Sequence, residues 1–331
     1  MFRYALVFAL ALAAACAHAG TGVTQIGATT VFYPTAAADQ AVQRGPFTLK
    51  LAPNAPPQRG NNRLVVLSHG SGGAAWTYTD LATQLVQAGF IVASPEHDGD
   101  NWHDMSKVGP PSWKLRPGEV IAAIDLLAAD ARFGPLFDPA KVGIYGMSAG
   151  GHTALTLAGG RWSPARLKAH CAEKIDEDFA TCAGTATQLT GGALDGLKKG
   201  IVLMVHRLKF EDTQAYGQTD PRIVAIVAEV PFAVDFDMQT LQAPKVKLGL
   251  VEARKDIWLV PRFHIDSVRE ACKACDVIAD LPTAGHGSLM SPQPRLTGVV
   301  ATLIADPPGF DRAEVPVAHA RIVAWLRKNL E

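Results

Sequence analysis

A surplus of charge of either sign is what this chain most plainly lacks. Its 31 Lys and Arg balance 31 Asp and Glu, and no run of like charge stands out. A nucleic-acid partner calls for a basic patch or stripe, so none is expected, and no acidic or basic tail is read either. Internal repeats and low-complexity blocks are also missing, which leaves out solenoids and disordered arrays. Neither G-x-x-x-x-G-K-[ST] nor G-x-G-x-x-G occurs, so nucleotide binding is not expected. Cysteine is sparse, at five in 331 residues. What the chain has instead is 48% hydrophobic content, enough to bury a large α/β core.

The N-terminus differs in kind from the rest. Met1-Phe-Arg-Tyr carries one positive charge, Ala5 to Cys16 is an uninterrupted apolar run, and Ala17-His18-Ala19 offers an A-x-A cleavage site. The run is too short to span a bilayer comfortably, and the pattern predicts a secretory signal peptide over residues 1–19. A lipoprotein acylated at Cys16 is the lesser reading, because Ala13 stands where a bulky aliphatic residue is wanted. Residues 20–331 are then one exported domain, periplasmic or secreted, with no stable membrane span. Without Cys16, an even set remains: Cys171, Cys182, Cys272 and Cys275. In an exported chain that set predicts disulfides. Of three pairings, the sequence-local one is expected, Cys171 with Cys182 and Cys272 with Cys275. Zinc at Cys272-x-x-Cys275 would need further ligands nearby, and none is present.

Strands are expected at Thr24 to Tyr33 and Gly45 to Leu51, before a Pro/Asn loop. The rhythm then becomes regular. Arg63 to Leu67 reads as a buried strand, Tyr78 to Ala88 as a helix, Phe90 to Ala93 as a strand and Pro117 to Ala131 as a helix. A strand over Lys141 to Tyr145 follows. Such alternation predicts a mostly parallel sheet covered on both faces. Residues 160–220 break the pattern and are read as an inserted helical lid. Strands resume at Arg222 to Ala228, Val246 to Val251 and Asp276 to Leu281, with helices around Ile265 to Lys273 and over Pro316 to Leu330.

Chemistry centres on Gly146-Met147-Ser148-Ala149-Gly150. A strand, a Gly-x-Ser-x-Gly turn and a run of small helix-compatible residues make a nucleophile elbow, with glycines where side chains would collide. An activated serine needs a base, and the base needs a carboxylate to hold its tautomer. In chain order after the serine, His286 in Ala-Gly-His-Gly is the expected base. His319 lies inside the last helix as a surface or packing residue, and His264 stands too close to the nearest acid. Asp256, just past the strand ending at Val251, is the expected acid, with Asp235 as its rival. Oxyanion donors are expected from the backbone of Ala149 and of Ser71, in the loop Ser68-His-Gly-Ser-Gly-Gly. His97-Asp98-Gly-Asp100-Asn-Trp-His103 has spacing that matches no zinc or calcium motif. It is read as the loop after the second strand of the regular alternation, with Asn101 and Trp102 near a pocket rim. Trp76, Tyr78, Trp102 and Met147 are candidates to line an apolar acyl pocket.

Taken together, Leu67-Ser-His-Gly-Ser-Gly-Gly, Ala93-Ser-Pro-Glu-His-Asp-Gly-Asp-Asn, Arg116-Pro and Gly146-Met-Ser-Ala-Gly-Gly-His resemble the predicted dienelactone hydrolases. That family comprises exported bacterial α/β-hydrolases similar to platelet-activating factor acetylhydrolases, and the likeness covers roughly residues 45–330. It implies an α/β-hydrolase fold, a Ser148–Asp256–His286 triad and hydrolysis of a small or lipid-like ester without metal or organic cofactor. True dienelactone hydrolases carry a cysteine nucleophile where this chain has Ser148, which sets dienelactone apart as a substrate. The expectation is therefore a monomeric serine carboxylic ester hydrolase. An amidase or peptidase with the same triad, and an inactive binding protein on this scaffold, are the alternatives.

Overall fold

The computed structural model describes residues 20–331. The expected signal peptide, with Cys16, lies outside the described residues. Two hairpins come first, β1 (Gly20–Ile26) with β2 (Thr29–Thr35) and β3 (Gln40–Arg44) with β4 (Phe47–Pro53). Next in order are β5 (Leu64–Ser68), α1 (Thr79–Gln87), β6 (Ile91–Pro95), α2 (Pro110–Ala129), β7 (Val142–Met147) and α3 (Ala149–Leu157). A helical stretch follows: the short β8 (Arg161–Trp162), then α4 (Pro164–Lys174), α5 (Phe179–Ala183) and α6 (Asp195–Lys209). The chain continues through β9 (Ile223–Glu229), β10 (Phe236–Asp237), β11 (Lys247–Ala253), α7 (Ile265–Ala271), β12 (Asp276–Leu281), α8 (Gly298–Ile304) and α9 (Glu314–Leu330).

Ten strands share one sheet in the order β12-β11-β9-β7-β5-β6-β2-β1-β4-β3. From β12 to β6 every pairing is parallel, and β2 joins antiparallel to β6. The small β8 and β10 pair separately. Because side chains alternate along a strand, a continuous apolar run feeds both faces of the sheet. In β5, Leu64 and Val66 pack with Val120, Ile124 and Leu127 of α2 on one face. Val65 and Leu67 pack with Leu81 and Leu85 of α1 and with Ile322 and Leu326 of α9 on the other.

Two expectations are corrected, and one strand, β3, was not expected. The single strand over Thr24 to Tyr33 is a hairpin, turned where Gly27 takes φ 55°. The helix expected from Pro117 starts at Pro110, after Gly109, with Pro117 inside it. Proline at the first turn has no N–H to lose, and Pro110 fills that role here. The strand β3 shows little apolar signal, since among its residues only Val42 is buried. The other expected elements are present to within a few residues, α8 and the short β8 and β10 had no counterpart among them, and the 160–220 stretch is mostly helical. Both disulfides follow the sequence-local pairing, Cys171 with Cys182 and Cys272 with Cys275. The first staples α4 to α5.

Candidate active site

Ser148 sits between β7 and α3 with φ 58° and ψ −116°, a backbone region that a side chain enters at a cost. The two glycines of the motif make that turn physically possible. A Cβ on Gly146 would lie 2.0 Å from the Gly150 carbonyl oxygen, and one on Gly150 would lie 1.9 Å from that of Ser68. Only glycine lets β7, α3 and β5 approach so closely. The Ser148 N–H donates to the Glu229 carbonyl at 3.1 Å, so the first main-chain donor past the hydroxyl is Ala149. As the first residue of a helix, its N–H has no intrahelical acceptor.

The structure brings Ser148, His286 and Asp256 into one line. His286 Nδ1 lies 2.6 Å from Asp256 Oδ2, and its Nε2 lies 2.9 Å from Ser148 Oγ. An ionised carboxylate can only accept, so Nδ1–H donates to it and Nε2 faces the serine as an acceptor. The other oxygen, Oδ1, accepts from the N–H groups of Trp258 and Leu259, each at 2.8 Å. All three side chains are buried. Each stands at the C-terminal end of a parallel strand: Ser148 after β7, Asp256 after β11, His286 after β12. Two later residues pin the His286 loop from below. Arg312 donates to the carbonyls of Ser288 and Met290, and His319 Nε2 lies 3.0 Å from that of Leu289. Burial lowers the His319 pKa to about 4, so it donates as a neutral ring.

The rival acid Asp235 is engaged elsewhere. It lies 3.1 Å from Nε2 of His152, both side chains fully buried. His264 is used too: its Nδ1 accepts from the Ala233 N–H at 3.0 Å, and its Nε2 faces Thr181 Oγ1 at 3.0 Å. Asp178 anchors this knot under α5. Burial opposes its charge, but His170, His264 and Thr181 hold it down at about 2.

The Ser71 loop is held by a buried ion pair that the sequence reading did not single out. Asp100 Oδ1 accepts from Ser71 Oγ at 2.6 Å and from the Gly72 N–H at 2.9 Å, while Oδ2 meets Arg116 at 2.8 Å. Arg116 also donates to the carbonyl of His69 at 2.6 Å. Burial works against the Asp100 charge, yet Arg116, Ser71 and Gly72 lower its pKa. Among the described residues no hydrogen bond engages the N–H of Ser71. His97, weighed above as a metal ligand, instead lies 2.8 Å from Ser68 Oγ and 2.6 Å from Glu119. Among the described residues no cluster of three or more His, Cys, Asp and Glu could hold a metal ion. Nor is any described helix long and apolar enough to cross a membrane. Beneath the elbow, Tyr145 donates to Glu229 at 2.5 Å and the Gly70 N–H to Tyr78 at 3.3 Å. Burial raises the Glu229 pKa to about 7.

Two clefts open at Ser148. The smaller, of about 280 Å³, is walled by Trp76, Tyr78, Trp102 and Met147 and includes His286. The larger, of about 600 Å³, runs under α5 and α6 and includes Ala149, Trp113 and Phe232. Ser71, Ser148 and Trp258 border both. Asn101 is buried, its side chain donating to the His97 carbonyl at 2.9 Å. The residues expected from sequence to line a pocket border the first cleft; the second, walled in part by the helices of the 160–220 stretch, has no counterpart among the expectations.

No family model matches the chain, and no curated protein matches it. Among solved structures it is similar to a Klebsiella pneumoniae subsp. pneumoniae MGH 78578 protein provisionally assigned as a dienelactone hydrolase. That likeness has 14% identity and a TM-score of 0.50, over 93% of this chain and 98% of that one. It is also similar to ferulic acid esterase from Streptomyces cinnamoneus, with 16% identity and a TM-score of 0.56, over 96% of this chain and 91% of that one. Likeness at such identity speaks to architecture. By its sheet topology and by both comparisons, the chain has the α/β-hydrolase fold.

Proposed function

We propose that the chain is a serine hydrolase of carboxylic esters, with Ser148 as nucleophile, His286 as base and Asp256 as the carboxylate that orients it. The observation that carries this reading is the unbroken hydrogen-bonded line from Asp256 through His286 to Ser148, on an elbow with positive φ. Ser148 Oγ attacks the ester carbonyl carbon while its proton passes to His286 Nε2. The carbonyl oxygen, now negative, is held by the N–H groups of Ala149 and Ser71. As the tetrahedral intermediate collapses, His286 returns the proton to the departing alcohol oxygen. Water then attacks the acyl-enzyme, giving its proton to His286, and the carboxylic acid and free Ser148 are restored. No step calls on a metal or organic cofactor. A dienelactone hydrolase assignment and a ferulic acid esterase among its structural neighbours fit an ester substrate of small-molecule kind.

Export to the periplasm or beyond belongs to the same reading. Its support is the pair of disulfides, which persist in oxidising compartments, together with the signal-like composition of residues 1–19. Nothing in the proposed mechanism needs a second copy or a nucleic acid. The test is direct: Ser148→Ala should abolish turnover of 4-nitrophenyl acetate and labelling by a fluorophosphonate probe, with an unchanged circular dichroism spectrum. Retention of most of the turnover in the folded variant would overturn the assignment.

A further inference from the structure

An ester has two halves, and the two clefts at Ser148 are not equivalent with respect to the groups that would handle them. His286 borders only the smaller cleft, whereas Ala149 borders only the larger. In ester hydrolysis the departing oxygen must lie within reach of the proton on His286 Nε2, about 3 Å. The carbonyl oxygen must point at the amides of Ala149 and Ser71. With carbon on Ser148 Oγ and these two oxygens fixed, the remaining substituent, the acyl chain, points away from His286.

From this we infer that the enzyme seats the alcohol half of its ester in the smaller cleft and a long or bulky apolar acyl group in the larger one, under α5 and α6. The inference rests on the ester-hydrolase reading above and adds to it the direction in which the substrate lies. The larger cleft holds about 600 Å³, room for about twenty groups of water size at ~30 Å³ each. Its inner wall is apolar and aromatic: Trp113, Leu167, Val202 and Phe232 are buried against it. Trp258, which borders both clefts, packs its ring 5.0 Å from that of His286. The residues expected from sequence to form an acyl pocket, Trp76, Tyr78, Trp102 and Met147, therefore face the departing alcohol instead. The smaller cleft, at about 280 Å³, would accept an alcohol about half the size of the acyl group.

Two ester series test this. In one, 4-nitrophenol is the common alcohol and the acyl group runs from acetyl to decanoyl. In the other, acetyl is common and the alcohol grows from methyl to a branched aryl alcohol. Ile201→Trp narrows the larger cleft and Leu296→Trp the smaller. Both positions are half exposed, Ile201 at 50% and Leu296 at 45%, so the fold tolerates the change. Ile201→Trp should lower the decanoyl-to-acetyl ratio of kcat/KM at least tenfold and leave the alcohol profile in place. Leu296→Trp should do the reverse. The opposite assignment of effects, both variants acting on one series, or neither acting on either, would overturn the inference. None of those outcomes touches the nucleophile assignment, which stands or falls on Ser148→Ala alone.

Discussion

Asp100→Asn is the substitution with the most to say about how the Ser71 loop is kept in place. The change keeps size and leaves one oxygen to accept from Ser71 Oγ and Gly72 N–H. It replaces the oxygen facing Arg116 with an NH₂ group, so donor meets donor where both side chains are fully buried. Stranding one partner of a buried ion pair costs about 3–5 kcal/mol. With an unfolding entropy of ~2.1 cal/mol/K per residue and about 300 residues, each kcal/mol shifts Tm by about 1.5 °C. The expected drop is therefore about 5–8 °C by calorimetry. Arg116 also holds the carbonyl of His69, so the loop should lose position as well as stability. Removing an oxyanion donor outright costs about 10²–10³ in kcat. A displaced Ser71 amide should cost less, at least about tenfold, with a smaller change in KM. The control is Asp100→Leu with Arg116→Met, which removes both charges and should be less destabilised than the sum of its single changes. A variant Asp100→Asn that melts within about 1 °C of the parent and keeps its kcat would refute the argument.

Three further outcomes are expected. Burial raises the Glu229 carboxyl to about 7, above its ordinary 4.5, so the folded state favours the proton. That preference contributes stability below about pH 4.5 and is lost as pH rises through 7, by a few kcal/mol in all. Glu229→Gln should match the parent near pH 4 and exceed it in urea midpoint at pH 8; a gap that does not widen with pH would count against it. Ser148→Gly and Ser148→Ala both remove the hydroxyl, but only glycine relieves the positive φ. Glycine should be the more stable of the two by about 1 kcal/mol in denaturant titration, and an alanine variant of equal or greater stability would contradict the strain. Breaking Cys171–Cys182 with two alanines reopens a loop of 11-residue separation and should cost about 3 kcal/mol in the chain-entropy treatment. The Cys272–Cys275 pair closes a shorter loop and should cost about 2 kcal/mol. The reverse order of melting points would show that native contacts, not loop closure, set the effect.

Local signals carried the reading where the chain is regular. Leu64 to Leu67, Val142 to Met147 and Leu248 to Val251 are apolar runs between turn residues, and each became a parallel strand with its expected site residue just beyond. The glycines around Ser148 pointed to a close approach because no other residue is so often required by one. What escaped were relations across distance. Asp100 and Arg116 stand 16 positions apart, and nothing in either segment says that the two meet behind Ser71. Asp100 drew notice as a would-be metal ligand and, like Arg116, as part of a family motif, never as one half of a pair. The second cleft was hidden for a related reason. Its walls combine Trp113 of α2, Phe232 after β9 and the inner faces of α5 and α6, a meeting that only the completed fold creates. Pro117 misled for a simpler cause, since a proline that can begin a helix looks the same as one that a longer helix absorbs.

The clamps on the His286 loop have a consequence for the order of events in synthesis. Arg312 and His319, which grip Ser288, Leu289 and Met290, are translated after the loop they hold. Ser148 and its strand are made more than a hundred residues earlier. A growing chain therefore carries its elbow long before the imidazole that meets it can be fixed. The contacts around the His286 loop are complete only once the segment through α9 has been made. On the proposed function, chains that lack Arg312 and His319 should therefore hold the His286 loop less firmly and turn over ester more slowly than the full chain.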